Sequence, residues 1–311
     1  MSPNSYIGAY WGSRAASVDE CAERLATLIE QFAHVDPLLT GWRQGAGSKL
    51  KAIEQPRVTS DHADLVTRLL AGRNRRDTDR LVIEELGYSV SWWNGNPDAS
   101  IGLAVRCGQT SPYSTNSLVL NLPESDAIPD LYSPTTASKL LKIVIGIWQP
   151  DHAVWTNYEL VDKQRQPDQR LENGGIISGQ IIGYSSGWAN FLSGSDSVKF
   201  DLGLLPVAAT VERLGNGTLV TLGNDPANPP LADVFQVRKA MGYPVQPEPF
   251  KDLGAAQATP LGTAGAPGGF AAPAASGGQT DPRGTQTRSV PNPASSTDNN
   301  HSRDIRRGTA P

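Results

Sequence analysis

The chain has 311 residues, a formal net charge of −4 and two cysteines, Cys21 and Cys107. That length allows one large domain or two ordinary ones, and two widely spaced cysteines exclude a disulfide framework or a CxxC-type metal site. Residues 251–311 carry six Lys/Arg and four Asp/Glu, which leaves the body at −6, a balance that repels phosphate backbones and suits a basic partner rather than nucleic acid.

In chain order, Tyr6 to Trp11 reads as an aromatic first strand. A helix comes next: Ser17 and Glu20 have capping-box spacing, and Val18, Cys21, Leu25, Leu28 and Phe32 recur at helical intervals until near His34. Gly45, Gly47 and Pro56 mark a loop in which only Leu50 to Ile53 suggests a helical turn. Ser60 or Asp61 caps a second helix that ends at Gly72. Tyr88 to Trp93, Ser100 to Cys107 and Ser117 to Leu122 form an antiparallel meander across turn-rich separators. Pro134 and Thr136 open a third helix, halted by Pro150 and succeeded by a short strand, Ala153 to Thr156.

Tyr158 to Gly175 is polar and reads as a loop, and the β-branched run in Ile176 to Tyr184 favours a strand. Val207 to Leu214 and Thr218 to Leu222 flank Gly215-Asn216-Gly217, a hairpin signal, and Leu231 to Met241 is a last helix. From Pro247 the composition turns to Pro, Gly, Ala, Ser and Thr, which cannot bury enough apolar surface to offset ordering. The pattern predicts a globular body over 1–246 and a low-complexity, disordered tail over 247–311. Its fold class is α+β: a mainly antiparallel sheet packed with about four helices. No secretory signal or span of ~20 apolar residues is present, so a cytoplasmic protein with no membrane segment is expected.

Gly183-Tyr184-Ser185-Ser186-Gly187 fits the nucleophile-elbow pattern, yet the only histidine after Ser185 is His301, in the tail. Asp151-His152 is the best acid–base candidate, weakened because adjacent strand residues face opposite ways. The four histidines have no metal-ligand spacing, and Gly215-Asn216-Gly217 lacks the helix of a dinucleotide loop. No catalytic residue, metal or cofactor is therefore expected. Of Trp92 and Trp93, one points inward and the other is left near solvent beside Asn94-Gly95, where an aromatic side chain can anchor a partner.

Tyr10-Trp11-Gly12-Ser13-Arg14, leading into a helix with Glu20-Cys21-Ala22 and Arg24-Leu25, resembles the start of the bacterial immunity protein 52 family. So do Asp36-Pro37-Leu38, Gly72-Arg73-Asn74-Arg75, Trp93-Asn94-Gly95, Cys107-Gly108, Leu120-Asn121-Leu122-Pro123, Gly187-Trp188 and Val211-Glu212. The resemblance spans most of 5–242 and implies a protein that binds and neutralises a cognate toxin of a polymorphic or secreted toxin system, a nuclease of the restriction-endonuclease-like kind. It implies no catalytic residues, and it makes Tyr10, Trp11, Gly12 and Arg14 a structural motif.

An acidic, aromatic-bearing surface can occupy the place of the phosphate backbone on such a toxin. Trp92, Trp93, Asp98, Glu124, Asp126 and Asp130 are the candidate toxin contacts. The competing readings are an adaptor or scaffold of a secretion system and a small serine hydrolase using Ser185.

Overall fold

A computed structural model describes residues 4–46, 48–171 and 173–245. The expected tail, 247–311, lies outside the described residues. In chain order the elements are β1 (Ser5–Trp11), α1 (Val18–Ala33), β2 (Arg43–Gln44), α2 (Lys49–Glu54), α3 (His62–Ala71), β3 (Tyr88–Trp93), β4 (Gly102–Cys107), β5 (Asn116–Asn121), α4 (Pro134–Trp148), β6 (His152–Asn157), α5 (Tyr158–Lys163), β7 (Gln169–Arg170), β8 (Ile176–Ile177), β9 (Ala189–Leu192), β10 (Ala209–Leu214), β11 (Gly217–Leu222) and α6 (Leu231–Ala240). Nine strands make one sheet in the order β10-β11-β9-β6-β1-β5-β4-β3-β2, with every neighbouring pair antiparallel. The α+β expectation and the β3–β4–β5 meander are both realised.

Alternation along β1 sets the two sides of the sheet. Ile7, Ala9 and Trp11 face the side on which Leu25, Leu28 and Phe32 of α1, Leu65 and Leu69 of α3, and Leu140, Leu141 and Val144 of α4 join one core. Fully burying each such side chain contributes about 1.5–3 kcal/mol. Cys21 and Cys107 also meet there: both are free and buried, and the Cys21 hydrogen bond, with burial second, raises the Cys107 thiol.

The helix starts reflect sequence chemistry. In α1 the capping box closes both ways, Glu20 N donating to Ser17 Oγ at 3.1 Å and Ser17 N to Glu20 Oε2 at 2.7 Å. Asp61, rather than Ser60, caps α3, accepting from Asp64 N at 2.9 Å.

Tyr6, Gly8 and Tyr10 face the opposite side, and strand register arranges that side in three rows. Trp93, Gly102, Asn121, Tyr6 and Thr156 form the first. Ser91, Ala104, Val119, Gly8, Val154 and Asn190 form the second, and Ser89, Arg106, Ser117, Tyr10, His152 and Leu192 the third.

Four expectations are corrected. Ile176 to Tyr184 is not a strand: only Ile176–Ile177 pairs, in a separate two-stranded ribbon with β7, and the rest is irregular. Gly179 and Gly183 explain this, because a Cβ there would lie 1.5 Å from the Gln166 carbonyl oxygen and 2.0 Å from the Tyr243 ring. The polar stretch after Tyr158 opens with α5, whose N-cap Asn157 accepts from Leu160 N at 2.8 Å. Three strands have no counterpart in the sequence pattern: β9, buried at all four positions, the edge strand β2, and β7, which lies in the stretch read as a loop. Finally, β10 begins at Ala209 rather than Val207, because Ala209 N turns back to Pro206 O at 2.9 Å.

Candidate partner-binding surface

The register gathers the sequence candidates at one end of the sheet. Trp93 ends β3 opposite Gly102, Gly102 lies opposite Asn121, and Asn121 opposite Tyr6. Asp98 lies in the β3–β4 turn, and Glu124, Asp126 and Asp130 in the connection that leaves β5, so all four project from that end. Both connections are held firmly.

In the turn, the buried Asn94 donates through Nδ2 to Leu38 O at 3.0 Å and Ala99 O at 2.9 Å, and accepts from Ile101 N at 3.1 Å. Asn96 Oδ1 accepts from Asp98 N at 2.9 Å, fixing the backbone that presents the carboxylate. After β5, two short 3₁₀ turns, Ser125–Ala127 and Pro129–Tyr132, are pinned by buried Ile128, Leu131 and Tyr132, whose hydroxyl donates to Pro123 O at 2.7 Å. Asp98, Asp126 and Asp130 are exposed and Glu124 is half-buried. Asp98, Glu124 and Asp130 form no ion pair among the described residues.

Alternation separates the two tryptophans. Trp92 is 4% exposed within the helix-side core, whereas Trp93 is half-buried on the other side. Of the two, only Trp93 keeps appreciable solvent exposure.

The Tyr10-Trp11-Gly12-Ser13-Arg14 segment lies at the opposite end and joins β1 to α4. Trp11 is buried and stacks on Trp148. Arg14 donates to the carbonyls of Trp148 and Gln149, each at 3.1 Å, where α4 ends on the left-handed Gln149 (φ 48°). Gly12 N donates to Asp151 Oδ2 at 2.9 Å. The two Arg14 bonds satisfy carbonyls that a helix C-terminus leaves without partners.

The structure brings an imidazole beside Ser185 that chain order did not suggest, His152. Its ring is sandwiched between Tyr10 (centroids 6.0 Å apart, planes 12°) and Tyr184 (4.3 Å, 3°). Neither ring nitrogen makes a well-aligned hydrogen bond among the described residues, although the Ser185 backbone lies close enough to favour the charged form. Burial pushes its pKa from 6.5 down to about 3, against the smaller, opposite effect of the Ser185 backbone.

The Ser185 side chain bonds instead to the Tyr6 phenol. The segment runs extended into β9, with no helix after the serine. A nucleophile elbow needs a strand-to-helix turn and a basic imidazole aimed at the hydroxyl; neither is present here.

Among the described residues there is no group of three or more His, Cys, Asp or Glu side chains that could hold a metal ion, and no helix is long and apolar enough to cross a membrane. A shallow groove of about 840 Å³ between α1 and α4 is lined by Arg24, Lys139 and Lys142 against one carboxylate, Glu23. It is too open to enclose a small molecule, and its sign is wrong for a basic partner.

The sequence profile of the family described as immunity protein 52 matches residues 4–229. The chain belongs to the immunity protein 52 family. No curated protein matches it. Among solved structures it is similar to a Pseudomonas aeruginosa T6SS protein, at 11% identity and a TM-score of 0.44, over 79% of this chain and 73% of that one. For this immunity protein 52 member, the match ends before α6, although Arg238 of α6 holds the Ser185 segment in place. Its guanidinium, buried and 5.4 Å from the Tyr243 ring, donates to Tyr184 O and Ile182 O, each at 2.6 Å, and to Pro244 O at 3.1 Å.

Sequence reasoning missed one component of the same sheet end. Leu222 N donates to Trp188 O at 2.8 Å and Ala209 lies opposite Leu222, so β10 starts at the end where Trp93 finishes. Just before it, Leu202 and Val207 are exposed. A cluster of solvent-exposed aliphatics ahead of a hairpin was the available signal.

Proposed function

We propose that this immunity protein neutralises a cognate nuclease toxin by binding it non-catalytically, with the Trp93 end of the sheet as the toxin-facing surface. The observation that carries the reading is the register: Asp98, Glu124, Asp126 and Asp130 converge on one sheet end beside the half-buried Trp93. A nuclease holds phosphates with cationic groups, so rigidly presented carboxylates on a body of charge −6 suit its active site or substrate channel. The neutral, enclosed His152 supports binding over hydrolysis, since an imidazole with a pKa near 3 takes no proton from a serine at neutral pH.

The test is co-expression with the product of the adjacent toxin gene, then binding kinetics of the purified pair. Growth rescue and an association rate that falls with added salt are expected, screening acting over about 8–10 Å at ordinary ionic strength. Neutralising Glu124, Asp126 and Asp130 to amides should slow association, and Trp93→Ala should mainly speed dissociation. Absence of both binding at micromolar concentration and protection in cells rules the reading out. Salt-insensitive binding rules out only the acidic surface.

A further inference from the structure

We propose that the outer edge of β10 accepts an extended segment of the toxin as an added strand. This rests on the toxin-binding function proposed for the Trp93 end. The sheet has two edges, and they differ. At the β2 edge, Arg43 bridges to Arg57 and Val58 N donates to Trp42 O at 2.7 Å, so the chain after α2 covers it. Along β10, no strand pairs on the outer side among the described residues.

The hairpin fixes which backbone groups face outward. Gly215 has φ +57° and Asn216 lies outside the left-handed region, so the two-residue loop has positive φ only at its first position, a type II′ turn that makes Leu214 and Gly217 a hydrogen-bonded pair. Pairs alternate from there: Glu212–Leu219 and Thr210–Thr221 exchange bonds within the hairpin, while the N–H and C=O groups of Val211 and Arg213 point away from β11. Ala209 N, next in that outward set, bonds back to Pro206 O and so marks where the open edge begins.

Exposed apolar side chains lie on β10 and in the segment that leads into it, among the polar Thr210, Glu212 and Arg213. Val207 is fully exposed, and Leu202, Leu204 and Val211 are at least 36% exposed. The two charges that guard the strand are already engaged: Glu212 pairs with Lys142 at 2.7 Å, and Arg213 donates to Thr218 Oγ1 at 3.1 Å. An open ladder flanked by apolar side chains is the receptor for strand addition, in which backbone bonds give affinity and alternate side chains give specificity.

A toxin segment fits better than the other occupants. Residues 247–311 are rich in Pro and Gly, which are poor in a ladder. A second copy pairing antiparallel about a two-fold must align residues of equal parity. Registers centred on Glu212 or Arg213 oppose like charges. Those centred on Thr210 or Val211 pair Ala209, whose N–H is already taken by Pro206 O, and the Val211 register sets Val207 of each copy against Gly215 of the other. The apolar end of each edge would then meet a Gly-Asn-Gly turn and stay uncovered. From β5 to β10 is five strand spacings, about 24 Å, so one toxin can contact the acidic connection and this edge together.

The test uses the full chain and the product of the adjacent toxin gene. Val211→Pro removes an outward N–H without breaking the hairpin ladder, and it should weaken toxin binding roughly tenfold or more while leaving the melting temperature near that of the parent. Hydrogen exchange should show the Val211 and Arg213 amides fast in the free chain and protected in the complex. If toxin binds but these amides stay fast and Val211→Pro binds like the parent, the edge proposal is overturned and the binding reading stands. If the parent itself does not bind toxin, both fail. Protection of the two amides in the free chain, rising with protein concentration alongside mass, would assign the edge to a second copy and overturn the proposal.

Discussion

Trp11 stacks on Trp148 with ring centroids 5.2 Å apart and planes at 25°, tying the central strand to the last residue of α4. Arg14 then donates to the carbonyl of that same Trp148. The pair therefore fixes both the packing and the termination of α4. Trp11→Ala should cost about 3–5 kcal/mol, as aromatic truncations in cores do, and Arg14→Ala about 1–2 kcal/mol through the loss of two charge-assisted bonds. Urea melts of the purified variants measure both. A Trp11→Ala protein as stable as the parent but unable to bind toxin would move this motif from the framework to the interface.

His152 predicts a pH dependence. Its folded pKa, about 3, lies below the ordinary 6.5, so the unfolded chain takes up a proton that the folded chain refuses. The contribution is fully present above pH 6.5 and is lost as pH falls toward 3, amounting to about 2 kcal/mol by pH 5. His152→Phe keeps the stacking and removes the proton. Its denaturation midpoint should fall less steeply than the parent's between pH 6.5 and 4, and an identical slope would show that another group governs acid sensitivity.

Ser185→Ala should leave toxin protection intact. The hydroxyl bonds to Tyr6 rather than to an imidazole, so the expected loss is a single hydrogen bond, about 1 kcal/mol. Protection assays in cells, paired with a melting curve, decide this. A folded Ser185→Ala protein that no longer protects would revive the hydrolase reading.

Truncation should distinguish α6 from the Pro- and Gly-rich residues C-terminal to it. Ending the chain after Pro230 removes Arg238 and exposes the carbonyls of Ile182 and Tyr184 that it satisfies. The outcome should be low soluble yield. Ending it after Gln246 removes a segment rich in Pro, Gly, Ala, Ser and Thr and should leave the melting temperature unchanged; a clear drop would show that residues 247–311 pack on the body.

The elements with strong local chemistry were legible in the sequence: the Ser17–Glu20 box, the Asn94-Gly95 turn and the Gly215-Asn216-Gly217 hairpin each announced their structure. The strand β9 was not, because Ala189–Leu192 is buried on both sides and so lacks the alternation that marks a half-exposed strand. Ile176, Ile177 and Ile182 misled in the other direction, since β-branched side chains suggested a buried strand and all three are exposed. For the candidate surface, composition supplied the carboxylates and the Trp92–Trp93 pair. Only register could show that Asp98 and Asp130 share a sheet end, that Trp92 is enclosed, and that β10 is an edge. His152 beside Ser185 was likewise beyond reach, because tertiary proximity is not encoded in chain order.

The central position of β1 bears on how the chain folds as it is made. Its two neighbours, β5 and β6, lie at 116–121 and 152–157, far along the chain. At translation rates of 5–20 residues per second, the aromatic segment Tyr6–Trp11 leaves the ribosome on the order of ten seconds before both flanking strands exist. At the start of that interval, before α3 is made, α1 is the first amphipathic element able to shield Ile7 and Trp11. Substitutions on the buried side of α1, such as Leu25→Ser, should therefore reduce the yield of newly made protein more than they reduce the stability of the folded protein.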